Sequence, residues 1–368
     1  MQSTIFQSLD ALPRHFQDLL REAGAASYFQ SLPWYENLLS NAFPNDTKLR
    51  LYGVESEGNT PTALGLFFAQ ASEKSGLLGW SPVLDELSNF YSLNAGPVIS
   101  QQAENLPEIL DCLVGAITED RPSWSSIGFG PIDAASPVYQ QLAQQLEHHG
   151  LVVESYFRHG NWYEDVAGLT FEKYMAKLGK NAKEALRKSR KLDREHDVLW
   201  TLTTEPGDLA VALEHYNKVY ENSWKEPEMY PDFIPRLMAH TASTGCLRLA
   251  NLIIDGEPAA TQLIVLSGKN AVMLKTAYIS KFERYSIGTT VMVRLLEKIV
   301  RSDNIDRIDL GAGDEPYKAH WATQRQERWG LLAYNPRTAT GLSKVIELHA
   351  RRVAKPFAKL LPSKKQGR

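Results

Sequence analysis

Residues 256–318 read GEPAATQLIVLSGKNAVMLKTAYISKFERYSIGTTVMVRLLEKIVRSDNIDRIDLGAGDEPYK, and the reading of this stretch decides the fold. Ala259 to Leu266 and Ala271 to Ile279 are dense in β-formers and are separated by Ser267-Gly268-Lys269-Asn270, which predicts two strands joined by a tight turn. After Ile279 the apolar spacing changes: Ile287, Val291, Leu295, Leu296 and Ile299 fall on one face of a helix predicted over 291–300. Arg284 to Thr290 reads as a small-residue turn into that helix, with Ser286, Gly288, Thr289 and Thr290 leaving backbone N–H groups accessible. Such an end attracts anions, because its first N–H groups lack partners and the helix dipole adds partial positive charge. A further strand, Arg307 to Leu310, then runs into Gly311-Ala312-Gly313 and the sequence DEPYK.

Beyond this stretch the chain has 368 residues, 43% of them hydrophobic, enough for two ordinary domains. A net charge of -3 gives no global reason to expect nucleic acid, although local basic runs remain. Cys112 and Cys246 are far apart and outside any CxxC spacing, which argues against a disulfide framework and a zinc site and fits a reducing cytoplasm. His148-His149 has no spaced partner ligand, so no metal is expected. The first residues, MQSTIFQSLDALPRHF, lack a basic segment followed by an apolar core, and no apolar run approaches the roughly 20 residues that span a bilayer. A cytoplasmic protein is expected.

The two halves repeat one plan. Leu49-Arg50-Leu51 recurs as Leu247-Arg248-Leu249, and Glu57-Gly58 recurs as Asp255-Gly256, both 198 positions apart, and each acidic-Gly pair is followed within three residues by a proline and then by an apolar strand. The expected organisation is an α/β chain with a first copy over 1–158, a second over 159–340 and a basic amphipathic tail over 341–368. In the first half, helices are predicted near 31–42, 104–118 and 137–149, with strands around Leu49, Leu64 and Trp124 and over 151–158. The nearest counterpart of the 286–290 turn there is Asn94-Ala95-Gly96-Pro97, whose proline has no N–H, so the first copy is read as having lost its anion site.

Between the copies, residues 170–196 are helical and basic. Lys183, Arg187, Arg190 and Arg194 form one stripe, with Lys188 and Lys191 close by, against the apolar side of Leu178, Ala182, Ala185, Leu186 and Leu192. Two readings are open: a plain surface helix, or a face for phosphate. Helices over 216–224 and 231–241 flank a loop containing Trp224, Glu226, Pro227, Glu228, Met229 and Tyr230, which is either an acceptor wall or a packed cover.

The hairpin, the RYSIGTT turn at 284–290, the helix and IDRIDLGAGDEPYKAHW at 305–321 resemble the acetyltransferase-type domain of the GNAT superfamily, in particular its FemAB-related, CelD-like group; KLGKNAKEALRKSRKLDRE at 177–195 is similar to the opening of that domain. The resemblance covers about 155–335 and implies tandem GNAT-like domains, mostly antiparallel sheets flanked by helices. It implies an acyl-CoA co-substrate, most readily acetyl-CoA, with its pyrophosphate at Tyr285, Ser286, Gly288, Thr289 and Thr290. This turn keeps one glycine where the family commonly has two, and ends in threonine.

The implied chemistry is acyl transfer to an amine on a cell-envelope, polysaccharide or lipid-linked acceptor, by direct attack. An amine near pKa 10 must lose its proton, an oxyanion must be stabilised and a leaving group must be protonated. Asp314 and Glu315 are the candidate bases, Tyr317 the candidate proton donor, and Lys318 a binder of phosphate or carboxylate; Asp314 is equally a candidate helix cap before Glu315-Pro316. Arg187, Lys191, Trp224 and Tyr278 are the candidate substrate-binding residues. Two other functions remain: a FemAB-type transferase using aminoacyl-tRNA, with the basic stripe holding RNA, and a non-catalytic scaffold for polysaccharide machinery. The tail, with Val345, Ile346, His349, Val353 and Phe357 along one side and Arg351, Arg352, Lys355, Lys359, Lys364 and Lys365 elsewhere, is read as a docked helix or as a contact for an anionic membrane.

Overall fold

The computed structural model describes residues 1–76, 79–178 and 180–358. Its first half runs β1 (Gln2–Phe6), α1 (Arg14–Ala26), α2 (Leu32–Asn41), β2 (Lys48–Glu55), β3 (Ala63–Gly76), β4 (Gly79–Glu86), β5 (Val98–Ile99), α3 (Leu106–Glu119), β6 (Ser126–Asp133), α4 (Pro137–His148) and β7 (Val152–Asp165). Its second runs α5 (Phe171–Lys177), α6 (Lys180–Glu195), β8 (Val198–Thr203), α7 (Leu209–Glu221), α8 (Phe233–Ser243), β9 (Leu247–Ile254), β10 (Glu257–Ser267), β11 (Asn270–Tyr278), α9 (Ile287–Ser302), β12 (Arg307–Ala312), β13 (Gln324–Tyr334) and α10 (Ala339–Ala358).

The strands form one sheet in the order β1-β2-β3-β4-β6-β13-β7-β12-β11-β10-β9-β8, with β5 beside β3. The duplicated plan is visible in it. In the first half β2, β3 and β4 are antiparallel and β6 joins β4 in parallel; in the second β9, β10 and β11 are antiparallel and β12 joins β11 in parallel. The last strand of each half is exchanged: β7 lies beside β12, β13 lies beside β6, and the two pair with each other. Residue 158, the expected boundary, therefore falls inside β7.

Apolar side chains explain the layering. One core cluster joins α1, α2, α7 and α8 to one face of the strands, with Phe16, Trp34, Phe233, Leu237 and Leu263 buried. A second joins α5, α6 and α9 to the other face of β9–β12 through Tyr174, Leu192, Ile264, Val291 and Leu296. A third packs α3 and α4 on the first half.

Most predicted elements stand within a few residues. Five strands, β1, β4, β5, β8 and β13, and the helix α1 are additional to the expected elements, and α7 begins at Leu209, well before the expected 216. α9 starts at Ile287 and not at 291: Ser286, in the left-handed region at φ 51°, ends a short helical turn over 280–285 and enters α9 directly. Gly288, Thr289 and Thr290 are thus helical residues of its first turn. The corresponding helix of the first half begins at Leu106, away from the expected 94–97 turn, and Asn105 Oδ1 accepts from its Glu108 N–H at 3.3 Å. Gly96 N–H donates to the buried carboxylate of Glu86. Residues 359–368, with Lys359, Lys364 and Lys365, lie outside the described residues, as do the side chains of Ala182, Lys183, Lys355 and Phe357.

Candidate active site

β11 and β12 pair only over Asn270–Val272 and Arg307–Asp309, then part. An extra residue, Leu274, shifts the register of β11 against β10: Leu263 faces Lys275 and Ile264 faces Met273. Such a bulge leaves one backbone unit out of the ladder and bends the strand. Two cavities open around the parting strands.

The larger, about 580 Å³, is lined by the first turn of α9 (Ser286, Gly288, Thr289), by Glu184, Ala185 and Lys188 of α6, by Gln262, Met273, Thr276 and Tyr278 of the sheet, and by Trp224, Tyr317 and Trp321. The Ser286 side chain makes no capping bond to the helix. The first N–H groups of α9 therefore have no side-chain acceptor at their own N-cap, and the dipole is unscreened there. Lys188 Nζ donates to Ser286 Oγ at 2.8 Å, which adds a full positive charge at the same point. Gly288 is needed for space: a Cβ there would meet the Tyr278 ring at 2.7 Å. Trp224 packs on the same ring, centroids 4.2 Å apart.

The smaller cavity, about 210 Å³, is lined by Met273 to Thr276 of β11, by Leu310 to Ala312 of β12, by Glu315, Tyr317 and Lys318, by Tyr220, Lys225, Phe233 and Leu237 from the second half, and by Trp34, Phe90, Tyr91 and Leu93 from the first. Beside it the Glu228 carboxylate pairs with Lys275 and accepts from Tyr91 Oη. The Lys275 ammonium lies 4.9 Å from the Tyr91 ring centroid and 5.7 Å from that of Tyr220. Burial holds Lys275 below the ordinary lysine range even with Glu228 beside it. Met273, Thr276 and Tyr317 line both cavities, so the two meet at that point.

The expected residues divide accordingly. Glu315 and Tyr317 face the cavities. Burial pushes the Tyr317 hydroxyl up to about 12, with the Glu315 charge adding to it, so it is protonated at neutral pH. Burial raises the Glu315 carboxyl most, but the Lys318 hydrogen bond and charge, a backbone hydrogen bond and the Lys225 charge together outweigh it and hold the group below the usual range. Lys318 is buried inside its own loop: Nζ pairs with Glu315 at 2.9 Å and donates to the carbonyls of Gly311, Ala312 and Gly313. Its ammonium is thus spent on loop geometry.

Asp314 lies apart from both cavities. Arg325 grips it through two bonds, Nε at 2.7 Å and Nη2 at 2.8 Å, and Trp162 Nε1 adds a third at 3.1 Å. The Arg325 guanidinium holds the carboxyl below its ordinary range, and Gly160 makes room for it, since a Cβ there would strike Oδ1 at 2.1 Å. It does not cap a helix, because Glu315 holds the N-cap position of the following turn.

Of the expected donor-binding residues, Ser286, Gly288 and Thr289 line the larger cavity, whereas Thr290 is fully buried in the core. Tyr285 turns away from it: its hydroxyl bonds to Glu195 Oε2 at 2.7 Å and to His196 Nε2 at 3.0 Å. Trp224 and Tyr278 are at the site; Arg187 pairs with Glu184 on the exposed face of α6, and Lys191 lies over the Tyr285 ring. Sequence reasoning missed Gln262, Lys275 and Thr276 as site residues. The available signal was polar side chains inside the apolar strands TQLIVL and AVMLKTAYI, since Lys and Gln are seldom buried without a partner. Among the described residues no group of three or more His, Cys, Asp or Glu is placed to hold a metal, and no helix is long and apolar enough to cross a membrane.

A sheet splayed between two parallel strands, with a bulged strand and an open helix N-terminus beside the gap, is the arrangement of the GNAT fold. Residues 179–319 match the acetyltransferase (GNAT) domain. Solved structures share the fold of nearly the whole chain. The crystal structure of FemX is 11% identical, with 94% of this chain and 100% of that one covered at a TM-score of 0.60. The C-terminal domain of a putative lysylphosphatidylglycerol synthetase from Agrobacterium fabrum is 13% identical, covering 90% and 95%, at 0.52. L-PGS from Bacillus licheniformis is 12% identical, covering 91% and 95%, at 0.53. Comparison with curated proteins gives no match.

Proposed function

We propose that the protein is an N-acyltransferase that moves an acyl group from acyl-CoA, most readily acetyl-CoA, to an amine on a cell-envelope or polysaccharide-related acceptor. The observation that carries this reading is the pair of cavities meeting at Met273, Thr276 and Tyr317. The larger suits the donor. Its uncapped α9 N-terminus and Lys188 suit a pyrophosphate, and its walls at Met273, Met292, Trp224 and Trp321 suit an apolar arm. The smaller suits the amine.

Acyl-CoA supplies an acyl group activated as a thioester. The chain's own residues do the rest. Glu315, ionised and facing the smaller cavity, takes the proton from the acceptor ammonium, directly or through one water. Tyr317, protonated and at the junction, stands where a departing thiolate needs a hydrogen bond. The unpaired backbone at Leu274 is the candidate donor to the carbonyl oxygen. Asp314 is assigned to holding the loop.

A second reading uses aminoacyl-tRNA. It is supported by the exposed Arg187, Arg190, Lys191 and Arg194 on α6, the helix whose Lys188 reaches the larger cavity, and FemX and the lysylphosphatidylglycerol synthetases share the fold. Calorimetry with acetyl-CoA, longer acyl-CoAs and charged tRNA chooses between them: acyl-CoA binding alone supports the first, tRNA binding alone the second, and no binding leaves a scaffold. In the first case Tyr317→Phe should lower kcat by about 100-fold or more with donor affinity kept, within the range for a lost acid. Unchanged kcat would remove Tyr317 from the mechanism.

A further inference from the structure

Lys275 lies on β11 one residue past the bulge at Leu274; both line the smaller cavity, and the next residue, Thr276, reaches the junction with the larger one. The Lys275 ammonium is paired with Glu228 and lies over the rings of Tyr91 and Tyr220. Burial above all, with the charge of Lys225 added, holds that ammonium below the ordinary lysine range despite Glu228. Its amine is therefore easier to free than that of an exposed lysine, and a carboxylate able to take the proton is already in contact with it. The cavity that suits an acceptor amine thus contains a primary amine of the chain's own.

With the acyl carbonyl held at the Leu274 backbone, the reacting carbon lies beside the residue that precedes Lys275, and consecutive Cα atoms are about 3.8 Å apart, less than the reach of a lysine side chain. We propose that Lys275 is a modification site: when a donor is bound and no acceptor fills the smaller cavity, its amine takes the acyl group and becomes an N-acyl-lysine. One ammonium proton passes to Glu228 before attack. The nitrogen lone pair then forms the C–N bond as the C–S bond breaks; the departing thiolate takes a second proton from nitrogen, the third hydrogen stays in the amide, and CoA leaves as the free thiol. The product has no charge to offer Glu228 and keeps its acyl group on the acceptor side, which should close that side to other amines. The inference rests on the acyl-CoA reading above and adds to it an acceptor within the chain.

The test is peptide mass spectrometry on the full wild-type chain after incubation with acetyl-CoA in an amine-free buffer, with acetyl-CoA binding measured by calorimetry. A second sample receives acetyl phosphate, a reactive acyl donor with no CoA part to occupy the larger cavity. Acetyl-CoA should acetylate Lys275 about tenfold faster, or more, than the exposed Lys269 and Lys281, because the bound thioester is held next to it, and excess desulfo-CoA should suppress this. Acetyl phosphate should reverse the order, since burial shields Lys275 from reagents in solution. If acetyl-CoA binds and Lys275 is modified no faster than Lys269 and Lys281, the inference is overturned and the acyl-CoA reading stands. If acetyl phosphate also favours Lys275, its reactivity owes nothing to a bound donor and the inference is again overturned. Failure of the protein to bind acetyl-CoA overturns the acyl-CoA reading itself, and the role of Lys275 with it.

Discussion

Glu228→Gln is the perturbation whose size the structure constrains most closely. The side chains of Glu228 and Lys275 are 14% and 16% exposed, so their pair falls in the buried class, where removing one partner strands the other charge and costs about 3–5 kcal/mol. Glutamine keeps an oxygen for Tyr91 Oη, so the loss isolates the ion pair. The stranded ammonium retains the faces of Tyr91 and Tyr220, each worth about 0.5–2 kcal/mol, which places the expected loss at the low end, about 3 kcal/mol. Adding Lys275→Met removes the stranded charge, and the double variant should return to within about 1 kcal/mol of wild type. The assay is urea unfolding followed by tryptophan fluorescence, with the slope checked for constancy. The pH dependence carries a sign. Burial raises the Glu228 carboxyl, but hydrogen bonds from Lys275, Tyr220 and Tyr91 outweigh it and hold the group below its usual range. Its stabilisation is therefore complete above the unfolded value of about 4.3 and is lost as pH falls through the folded value, so Glu228→Gln should flatten the acid limb of the stability curve. A loss under about 1 kcal/mol, or a double variant no better than the single one, would refute the reasoning.

Asp314→Asn should cost at most about 1 kcal/mol, because Asp314 and Arg325 are 40% and 31% exposed, and should leave the pH profile of turnover unmoved. Lost turnover with intact stability and donor binding would restore Asp314 as the base. Gly288→Ala drives a methyl group to 2.7 Å from the Tyr278 ring and should cost about 1–3 kcal/mol, while moving Trp224 and weakening donor binding; calorimetry and thermal unfolding together check it. On α10, Leu342, Ile346 and Val353 are 46%, 62% and 66% exposed, an apolar stripe opposite the buried Leu348. Replacing the three with serine should abolish flotation with anionic liposomes; equal flotation by the variant would remove the membrane reading of the tail.

The hairpin, the helix after it and the duplication were legible because each is a local pattern: strand density at 259–279, helical spacing from Ile287, and matched turns in both halves. The division of labour within GDEPYK was not legible. Asp314 and Glu315 are adjacent and chemically alike; what separates them is Arg325, on the next strand, and Trp162, on a strand 152 residues away, which together grip the first. Lys318 looked available for a phosphate, but its amine is turned back on the carbonyls of its own loop, a consequence of backbone conformation that residue identity does not encode. Tyr285 looked like part of the anion turn, yet the left-handed Ser286 reverses the chain direction immediately after it and leaves the ring with Glu195 and His196.

The exchange of β7 and β13 gives the first copy a role of its own, although its helix α3 is capped by Asn105 where α9 is open. Each of these strands follows its own half in sequence, so periodicity assigns it there, while the ladder places it in the other half. Pairing between them then locks the two halves into one sheet along the whole of β13, Gln324 to Tyr334. Together with the core shared by α1, α2, α7 and α8, that lock sets a loop of the first half at a fixed distance from the second, and the smaller cavity depends on it: Trp34, Phe90, Tyr91 and Leu93 form one wall, and Tyr91 Oη reaches Glu228 across the boundary. A copy free to swing could not keep that bond. On this account the first half holds no donor of its own but shapes the acceptor side of its neighbour. Substitutions at Phe90 or Leu93 should then alter acceptor KM while leaving acetyl-CoA affinity unchanged; an effect on acetyl-CoA binding alone would contradict it.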